Sequence, residues 1–235
     1  VVLLIIDITE KYEAEQMRRE FSANVSHELK TPLTSISGYA EIMKNGLVKA
    51  EDMYKFAEKI YNEASRLINL IDDIIKLSSL DENSMKRPVD QVDLLALSKD
   101  VVSRLTNKAE EKNIKLSVTG ERAVITGTKQ ILEEMIFNLC DNAIKYNRDG
   151  GSVDVSVLYR GKNIVLTVSD TGIGIPKEHQ GRVFERFYRV DKSHSKSTGG
   201  TGLGLSIVKH GAIYHNAAIE LESQVGKGTT IRIIF

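Results

Sequence analysis

Three groups of residues in this chain have types and spacings that could do chemistry, and the first centres on His27. It stands in the segment FSANVSHELKTPLTSI, residues 21–36, with an acid directly after it and a proline five positions later. Apolar residues recur there at steps of three and four, which is typical of one face of a helix, and His27 falls nearly opposite that face. An exposed neutral imidazole is a nucleophile. The alternatives are therefore a surface histidine without a special role and a nucleophile whose electrophile lies elsewhere.

Pro32 favours the second alternative. A proline within a helix removes the backbone hydrogen bond to the residue four positions earlier, here Glu28, and is expected to bend the helix one turn after His27. The segment has neither the spacing of metal ligands nor that of a Ser/His/Asp triad, and it contains no cysteine. The electrophile has to be sought in another part of the chain.

The second group is a polar ridge on a helix predicted over residues 128–146. Asn138, Asn142 and Lys145 are spaced at i, i+4 and i+7, so that they lie on one side of this helix. Asn142 offers a neutral amide oxygen that suits magnesium, and Lys145 offers a point charge for phosphate. A solvated helix face is the alternative interpretation of this ridge.

The third group consists of two glycine-containing runs. LTVSDTGIGIP, residues 166–176, ends a predicted strand on Asp170 and continues with Gly172 and Gly174, which permit a tight turn and close approach of a ligand. GGTGLGLSIV, residues 199–208, precedes a predicted helix whose free amide groups favour a phosphate. Neither run has the spacing of a P-loop or of a dinucleotide-binding fingerprint.

Two long helices are predicted to carry His27. Residues 10–46 and 51–80 show narrow apolar stripes, and the second has a heptad seam. A hairpin of two such helices cannot bury both seams by itself, so we expect two copies to form a four-helix bundle, that is, a homodimer. Docking onto the helices of another partner is the alternative. The polar segment 81–90 ends the hairpin and is the best domain boundary.

The rest of the chain mixes helices and strands. Predicted helices at 94–112 and 128–146 are followed by mostly adjacent strands, including the final hairpin AAIELESQVGKGTTIRIIF. This order predicts an α+β layer in which helices cover one face of a sheet. The first residues, VVLLIIDITE, predict a strand that looks like the cut edge of a larger protein.

The composition narrows the class of protein. Lysine and arginine total 32, as do aspartate and glutamate, so the chain has no net positive charge that would attract nucleic acid. We therefore expect no nucleic-acid partner. The single cysteine excludes a disulfide framework and fits a reducing compartment. No segment reaches the roughly 18 to 20 apolar residues needed to span a bilayer.

The order of the chemical segments resembles one family, the HisKA-type sensor histidine kinases of bacterial two-component systems. HELKTPL resembles the phosphoacceptor box of that family, NLCDNAIKY its N box, DTGIGIP its first glycine box, FERFYR its F box and TGLGL its second glycine box. The resemblance covers residues 21–235. It implies an α+β multidomain chain, with a helical-hairpin domain that forms a dimeric four-helix bundle. An α/β sandwich ATP-binding domain of the gyrase, Hsp90 and histidine-kinase type would follow.

The resemblance assigns roles around His27. His27 would take the γ-phosphoryl group of ATP and pass it to an aspartate of a cognate response regulator. Glu28 would orient and activate the imidazole, although adjacent residues do not ordinarily face each other on a helix, so that this contact would need local bending. Thr31 matches the position that helps to hold the attacking water when such proteins dephosphorylate their regulator.

The resemblance also assigns the cofactors ATP and Mg²⁺ to the second half. The nucleotide-binding positions would be Asn138, Asn142, Lys145, Tyr146, Asp170, Gly172, Gly174, Arg189, Gly200, Thr201, Gly202, Leu203 and Gly204. Asn142 would ligate magnesium, Asp170 would accept from the adenine amino group, and Tyr146 would lie against the base. Asn138, Lys145 and Arg189 would approach the phosphates. The later glycines would end a mobile lid that starts near residue 190.

The resemblance finally implies a division into domains. We expect the end of an upstream PAS-like sensory domain at 1–9, a coiled-coil signalling helix at 10–20, and the dimerisation and phosphotransfer domain at 21–83. A hinge linker at 84–92 and the catalytic domain at 93–235 would follow. This fragment is expected to be cytoplasmic and its full-length parent to be anchored in the bacterial cell membrane.

Some residues depart from the family pattern or stay outside it. Asn147 and Arg148 replace a common Thr-Pro, and HNAA at 215–218 replaces a common glycine pair. The other histidines, at 179, 194, 210 and 215, are predicted to be surface residues.

Two further hypotheses remain open: an ATPase of the gyrase and Hsp90 type that forms no phosphoprotein, and a degenerate kinase that serves as a binding scaffold. The sequence does not decide between transfer within one protomer and transfer across the dimer.

Overall fold

The computed structural model describes residues 9–81, 88–190 and 200–235. The chain divides into two compact units, Val1–Ile74 and Ile75–Phe235. The strand predicted at the start, residues 84–87 of the predicted linker, and His194 with the greater part of the predicted lid lie outside the described residues.

The first unit contains the predicted helical hairpin up to Ile74. Helix α1 runs from Thr9 to Lys44, and a 3₁₀ turn at Ala50–Asp52 leads into helix α2, Met53–Asp81. The rings of Tyr39 and Phe56 meet edge to face between the two helices, with their centroids 5.7 Å apart. Helix α1 continues through Pro32, whose side chain is buried. One continuous helix therefore carries both the predicted signalling segment and His27.

The second unit is built on a five-stranded sheet in the order β2-β4-β5-β7-β6. Its strands are β2 (Lys115–Gly120), β4 (Ser152–Arg160), β5 (Asn163–Asp170), β6 (Ala218–Gln224) and β7 (Gly228–Ile234). Strands β2 and β4 are parallel, and the other neighbours are antiparallel. A separate antiparallel pair joins β1 (Asp90–Asp93) to β3 (Val124–Gly127).

Helices α3 (Leu94–Glu110), α4 (Lys129–Lys145) and α6 (Gly204–Tyr214) pack with this sheet, and a short helix α5 spans Lys177–Gln180. Alternate residues of β4, namely Val153, Val155 and Val157, are fully buried in a core that they share with the apolar faces of α3 and α4. Fully burying such a side chain contributes about 1.5–3 kcal/mol. The α+β layer predicted from the sequence is confirmed.

Helix α4 is held by its buried apolar face and by polar contacts from α3 and the turn after it. Its buried face includes Met135, Ile136 and Leu139, which leaves the opposite ridge free for polar residues. From α3, Arg104 pairs with Glu133 at 2.6 Å and Lys108 pairs with Asp141. Just after α3, Lys112 donates to the carbonyl of Lys145 at 3.0 Å. The helix that carries the polar ridge is therefore anchored along its length.

Three details differ from the sequence predictions. Strand β1 begins at Asp90, inside the segment predicted as linker, and the one-turn helix α5 was not predicted. The surface prediction is wrong for His179, His210 and His215, which are all half-buried. His179 contacts the hydroxyl of Tyr188 at 2.6 Å, and His210 contacts Arg186 at 3.1 Å.

His215 holds the start of α4. Its Nε2 accepts a hydrogen bond from the backbone of Thr128 at 3.1 Å, so Nδ1 carries the proton and donates to the carbonyl of Gly211 at 2.8 Å. Burial lowers the pKa of His215, although the bond to Gly211 opposes this shift. His215 is therefore a structural histidine.

Candidate functional site

His27 is presented to solvent by α1. Its side chain is 81% exposed, and its Nδ1 lies 3.9 Å from a carboxylate oxygen of Glu28. That distance is within reach of an ion pair but too long for a hydrogen bond. The structure thus brings the adjacent acid towards the imidazole, a contact that the sequence alone made doubtful.

Arg66 on α2 is a member of this site that sequence reasoning missed. Its guanidinium lies 3.9 Å from the second carboxylate oxygen of Glu28 and 3.9 Å from Glu63, and its side chain is only 17% exposed. A charge placed in this way biases the orientation of the Glu28 carboxylate. Only the pairing of the two helices brings Arg66 here, because no motif in the sequence marks it.

Thr31 lies one turn after His27. Its hydroxyl donates to the carbonyl of His27 at 3.2 Å, and the residue is exposed. Spacing of four on a helix places the two side chains on the same face. The hydroxyl oxygen keeps lone pairs that could accept from a water beside the imidazole.

The polar ridge of α4 faces the second glycine run. A Cβ added at Gly204 would stand 2.7 Å from Oδ1 of Asn138 and 3.6 Å from Nδ2 of Asn142. A Cβ at Gly200 would stand 2.7 Å from Nζ of Lys145. The amide of Asn138 also donates to the carbonyl of Glu134 at 2.8 Å. The two segments predicted to share the nucleotide are therefore neighbours.

Lys145 is the cation of this ridge. Its pKa is lowered from 10.5 to about 8, chiefly by burial; Asp141 opposes this shift, and nearby Lys108, Arg189 and Lys112 add to it. Nζ lies 5.6 Å from the centroid of the Tyr146 ring. Burial also raises the pKa of Tyr146. Positive charge is therefore concentrated where the sequence predicted phosphates.

Asp170 ends β5 as a half-buried carboxylate. Its Oδ1 accepts from the backbone of Gly172 at 2.8 Å and from that of Thr229 at 3.2 Å. Burial raises the pKa of Asp170, whereas these two hydrogen bonds lower it. Both bonds use the same oxygen, so they restrain the orientation of the carboxylate. Sequence reasoning missed Thr229, because only the pairing of β5 with β7 brings its backbone here.

The turn after Asp170 requires glycine. A Cβ at Gly172 would stand 2.3 Å from the carbonyl oxygen of Tyr146 and 2.8 Å from Oδ1 of Asp170. Gly174 has φ +71°, which a side chain rarely adopts, and its Cβ would stand 2.1 Å from the carbonyl oxygen of Gln224. The first glycine run therefore lies against the end of α4 on one side and the β6–β7 hairpin on the other.

The F-box segment contacts the second glycine run. The backbone of Phe187 donates to the carbonyl of Gly202 at 2.9 Å. The hydroxyl of Thr201 accepts from the backbone of Leu203 at 3.2 Å, and Leu203 is fully buried directly before α6. Arg189 is close enough to Lys145 and Tyr146 to affect the pKa of both. All the predicted nucleotide residues thus lie in the second unit around the end of α4.

The donor set of this site suits a triphosphate more than a metal cage. No group of three or more His, Cys, Asp or Glu side chains arranged for a metal occurs among the described residues. Asn142 supplies one hard oxygen ligand, which fits Mg²⁺ that keeps its waters and binds phosphate oxygens.

In the described ranges, no helix combines the length and apolar character needed to cross a membrane.

Two family models match the chain. Residues 17–83 match the model described as the His Kinase A (phospho-acceptor) domain. Residues 127–235 match the model described as Histidine kinase-, DNA gyrase B-, and HSP90-like ATPase. The two models together cover most of the chain; the first contains His27, and the second contains the polar ridge and both glycine runs.

Curated relatives and solved structures agree with these models. The chain is 43% identical to the sensor-like histidine kinase SenX3 of Mycolicibacterium smegmatis, over 99% of the chain and 61% of that protein. It is 38% identical to the phosphate regulon sensor protein PhoR of Pseudomonas aeruginosa, over 100% of the chain and 53% of that protein. The chain therefore spans less than two thirds of either relative.

A solved structure of histidine kinase ThkA in complex with response regulator protein TrrA has a similar fold. Its TM-score is 0.72 at 23% identity, over 98% of this chain and 67% of that chain. At this identity the likeness supports the fold alone. It is the fold expected from the sequence, a helical hairpin followed by an α/β sheet domain.

Proposed function

This chain belongs to the HisKA-type sensor histidine kinases, and we propose that it transfers the γ-phosphoryl group of ATP to His27. The phosphoryl group would then pass to an aspartate of a cognate response regulator. The observation that carries this proposal is an exposed histidine beside a carboxylate, in one chain with an ATP-binding domain.

Glu28 gives the imidazole a defined direction of attack. Its carboxylate lies at Nδ1 of His27, so a small rotation allows it to accept the Nδ1 proton. The lone pair of Nε2 then attacks the γ-phosphorus. The N–P bond forms as the bond from phosphorus to the β,γ-bridging oxygen breaks, ADP leaves, and Glu28 takes the Nδ1 proton. Arg66 holds the carboxylate in place for this transfer.

The second unit contacts ATP at both ends of the nucleotide, the adenine and the phosphates. Oδ2 of Asp170 accepts from the adenine amino group, and Tyr146 covers the base. Lys145 and Arg189 lie at the phosphates, where charge neutralisation and positioning supply most of the catalysis of phosphoryl transfer. Asn142 would ligate Mg²⁺, which neutralises phosphate charge when it is bound. The remaining predicted contacts, at Asn138, Gly200, Thr201, Gly202, Leu203 and Gly204, line the phosphate side.

We extend the proposal to dimerisation and to the partner. Tyr54, Tyr61 and Ile68 are exposed at intervals of seven residues along α2, at 77%, 72% and 60%. Two copies would bury apolar surface of α2 in a four-helix bundle. The same bundle would present His27 to the receiver domain of the regulator, and Thr31 would hold a water for dephosphorylation.

The parent protein carries further parts in this proposal. An upstream sensory domain would act through the signalling helix, and the parent would be anchored in the bacterial membrane with the present residues in the cytoplasm. The domain boundaries given above stay predictions, with the catalytic domain moved to begin at β1.

Incubation with γ-labelled ATP and Mg²⁺ tests the proposal. We expect acid-labile label on the wild type and none on His27→Gln, while the matched control His179→Gln keeps its label. Label that persists in His27→Gln would refute the assignment. Steady ATP hydrolysis without labelled protein would favour an ATPase of the gyrase and Hsp90 type.

A further inference from the structure

Asn147 closes a cycle of hydrogen bonds beside the nucleotide site. Its Nδ2 donates to the carbonyl of Ser152 at 2.9 Å. The backbone of Ser152 donates to the hydroxyl of Thr171 at 2.9 Å, and that hydroxyl donates to Oδ1 of Asn147 at 3.4 Å. The chain departs from its family pattern at this position, so the family motifs do not account for these contacts.

The cycle joins three elements. Asn147 follows the end of α4, Ser152 begins β4, and Thr171 opens the turn after β5. Two backbone bonds run beside it, from Thr171 to the carbonyl of Ser152 at 3.2 Å and from Ile173 to the carbonyl of Tyr146 at 3.1 Å. The side chain of Asn147 thereby ties the α4 end to the β5 end.

The space around the cycle is tightly filled. A Cβ at Gly151 would stand 2.2 Å from Oδ1 of Asn147 and 2.8 Å from the hydroxyl of Thr171. The backbone of Arg148 donates to the same Oδ1 at 3.0 Å. Asn147 is half-buried with both of its polar atoms engaged. The side chain is therefore held in one orientation by contacts on both of its polar ends.

The position of the cycle connects the two ends of the ligand site. Asp170, assigned to the base, is the residue directly before Thr171. Lys145, assigned to the phosphates, is two residues before Asn147. We propose that Asn147 is a positioning residue that sets the separation between the base-binding carboxylate and the phosphate-binding end of α4. This inference rests on the nucleotide site of the proposed function, and Asn147 itself does not touch the nucleotide.

The test measures binding rather than phosphoryl transfer. Titration calorimetry with Mg²⁺ and ATP on the full chain gives the Kd of the wild type, Asn147→Ala and Asn147→Asp. One net hydrogen bond is worth about 1 kcal/mol, which corresponds to about fivefold, so we expect a Kd about five to ten times higher in both variants. The aspartate keeps the acceptor but loses the donor to Ser152. The KM for ATP rises with the Kd, whereas the maximal rate of phosphorylation is unchanged.

Asn163→Ala is the matched control. Asn163 lies at the opposite end of β5 from Asp170, seven residues or about 23 Å away. Its replacement is expected to leave the Kd for ATP unchanged. Thr171→Val opens the same cycle with little change in volume. If Asn147→Ala does not fold, the Kd of Thr171→Val shows whether breaking the cycle weakens ATP binding. Because both changes break one cycle, the double variant weakens binding no more than about twofold beyond either single variant.

The outcomes separate this inference from the proposed function. A lower melting temperature with an unchanged Kd in Asn147→Ala overturns it, because the residue then supports only the fold. If the losses of ATP affinity in the two single variants add up in the double variant, the shared hydrogen-bond cycle is not their cause. A raised Kd in a chain that binds ATP but labels no histidine supports the inference and refutes the kinase proposal. A wild type that binds no nucleotide refutes both.

Discussion

Nucleotide affinity is expected to fall as the pH rises from 7 to 9, because Lys145 loses its proton in this range. Its pKa is lowered to about 8, chiefly by burial. A group with this pKa is about nine tenths charged at pH 7 and about one tenth charged at pH 9. Only the charged ammonium attracts phosphate. The Kd for ADP should therefore rise about tenfold between these pH values, with most of the change above pH 8.

Two variants isolate the contribution of Lys145. Lys145→Arg keeps its charge throughout this range, so its Kd, whatever its absolute value, should be nearly constant from pH 7 to 9. Lys162→Arg, in the exposed turn between β4 and β5, should retain the dependence of the wild type. Calorimetric titration with ADP at five pH values is sufficient. A constant Kd in the wild type, or an equally steep rise in Lys145→Arg, would refute the reasoning.

Three further changes have defined outcomes. Asp170→Asn should raise the Kd for ATP tenfold or more, because a charge-assisted acceptor for adenine is lost; an unchanged Kd by calorimetry would contradict its role. Gly172→Ala should lower the melting temperature and abolish measurable ATP binding, since its Cβ would stand 2.3 Å from a carbonyl oxygen, whereas Gly181→Ala has open space and should behave as wild type. Glu28→Gln should slow labelling of His27 about a hundredfold at unchanged ATP affinity, and equal loss of both would argue against a base at Nδ1.

Much of the fold follows from local patterns that the sequence displays directly. The apolar period of α4 predicts both its buried face and the opposite polar ridge, and the alternation in β4 and β5 predicts a half-covered sheet. The exposure of His27 follows from the same helical arithmetic. In each case a few neighbouring residues contain the information.

The features that escaped prediction depend on contacts between distant segments. Arg66 reaches Glu28 only through the pairing of α1 with α2, and Thr229 reaches Asp170 only through the register of β5 and β7. Strand β1 has the polar sequence DQVD, which carries little intrinsic preference for a strand, and its partner β3 supplies the pairing. His215 looks like a surface residue until α6 and the start of α4 are packed together.

The position of the phosphoryl group on the protein decides whether His27 is the nucleophile. After incubation with ATP and Mg²⁺, ³¹P NMR of the intact chain combined with tandem mass spectrometry locates the modified residue and the ring nitrogen. We expect a single phosphoryl group on Nε2 of His27, because Glu28 occupies the Nδ1 side. Phosphate on Nδ1, on another residue, or on none while ATP remains bound would contradict this expectation.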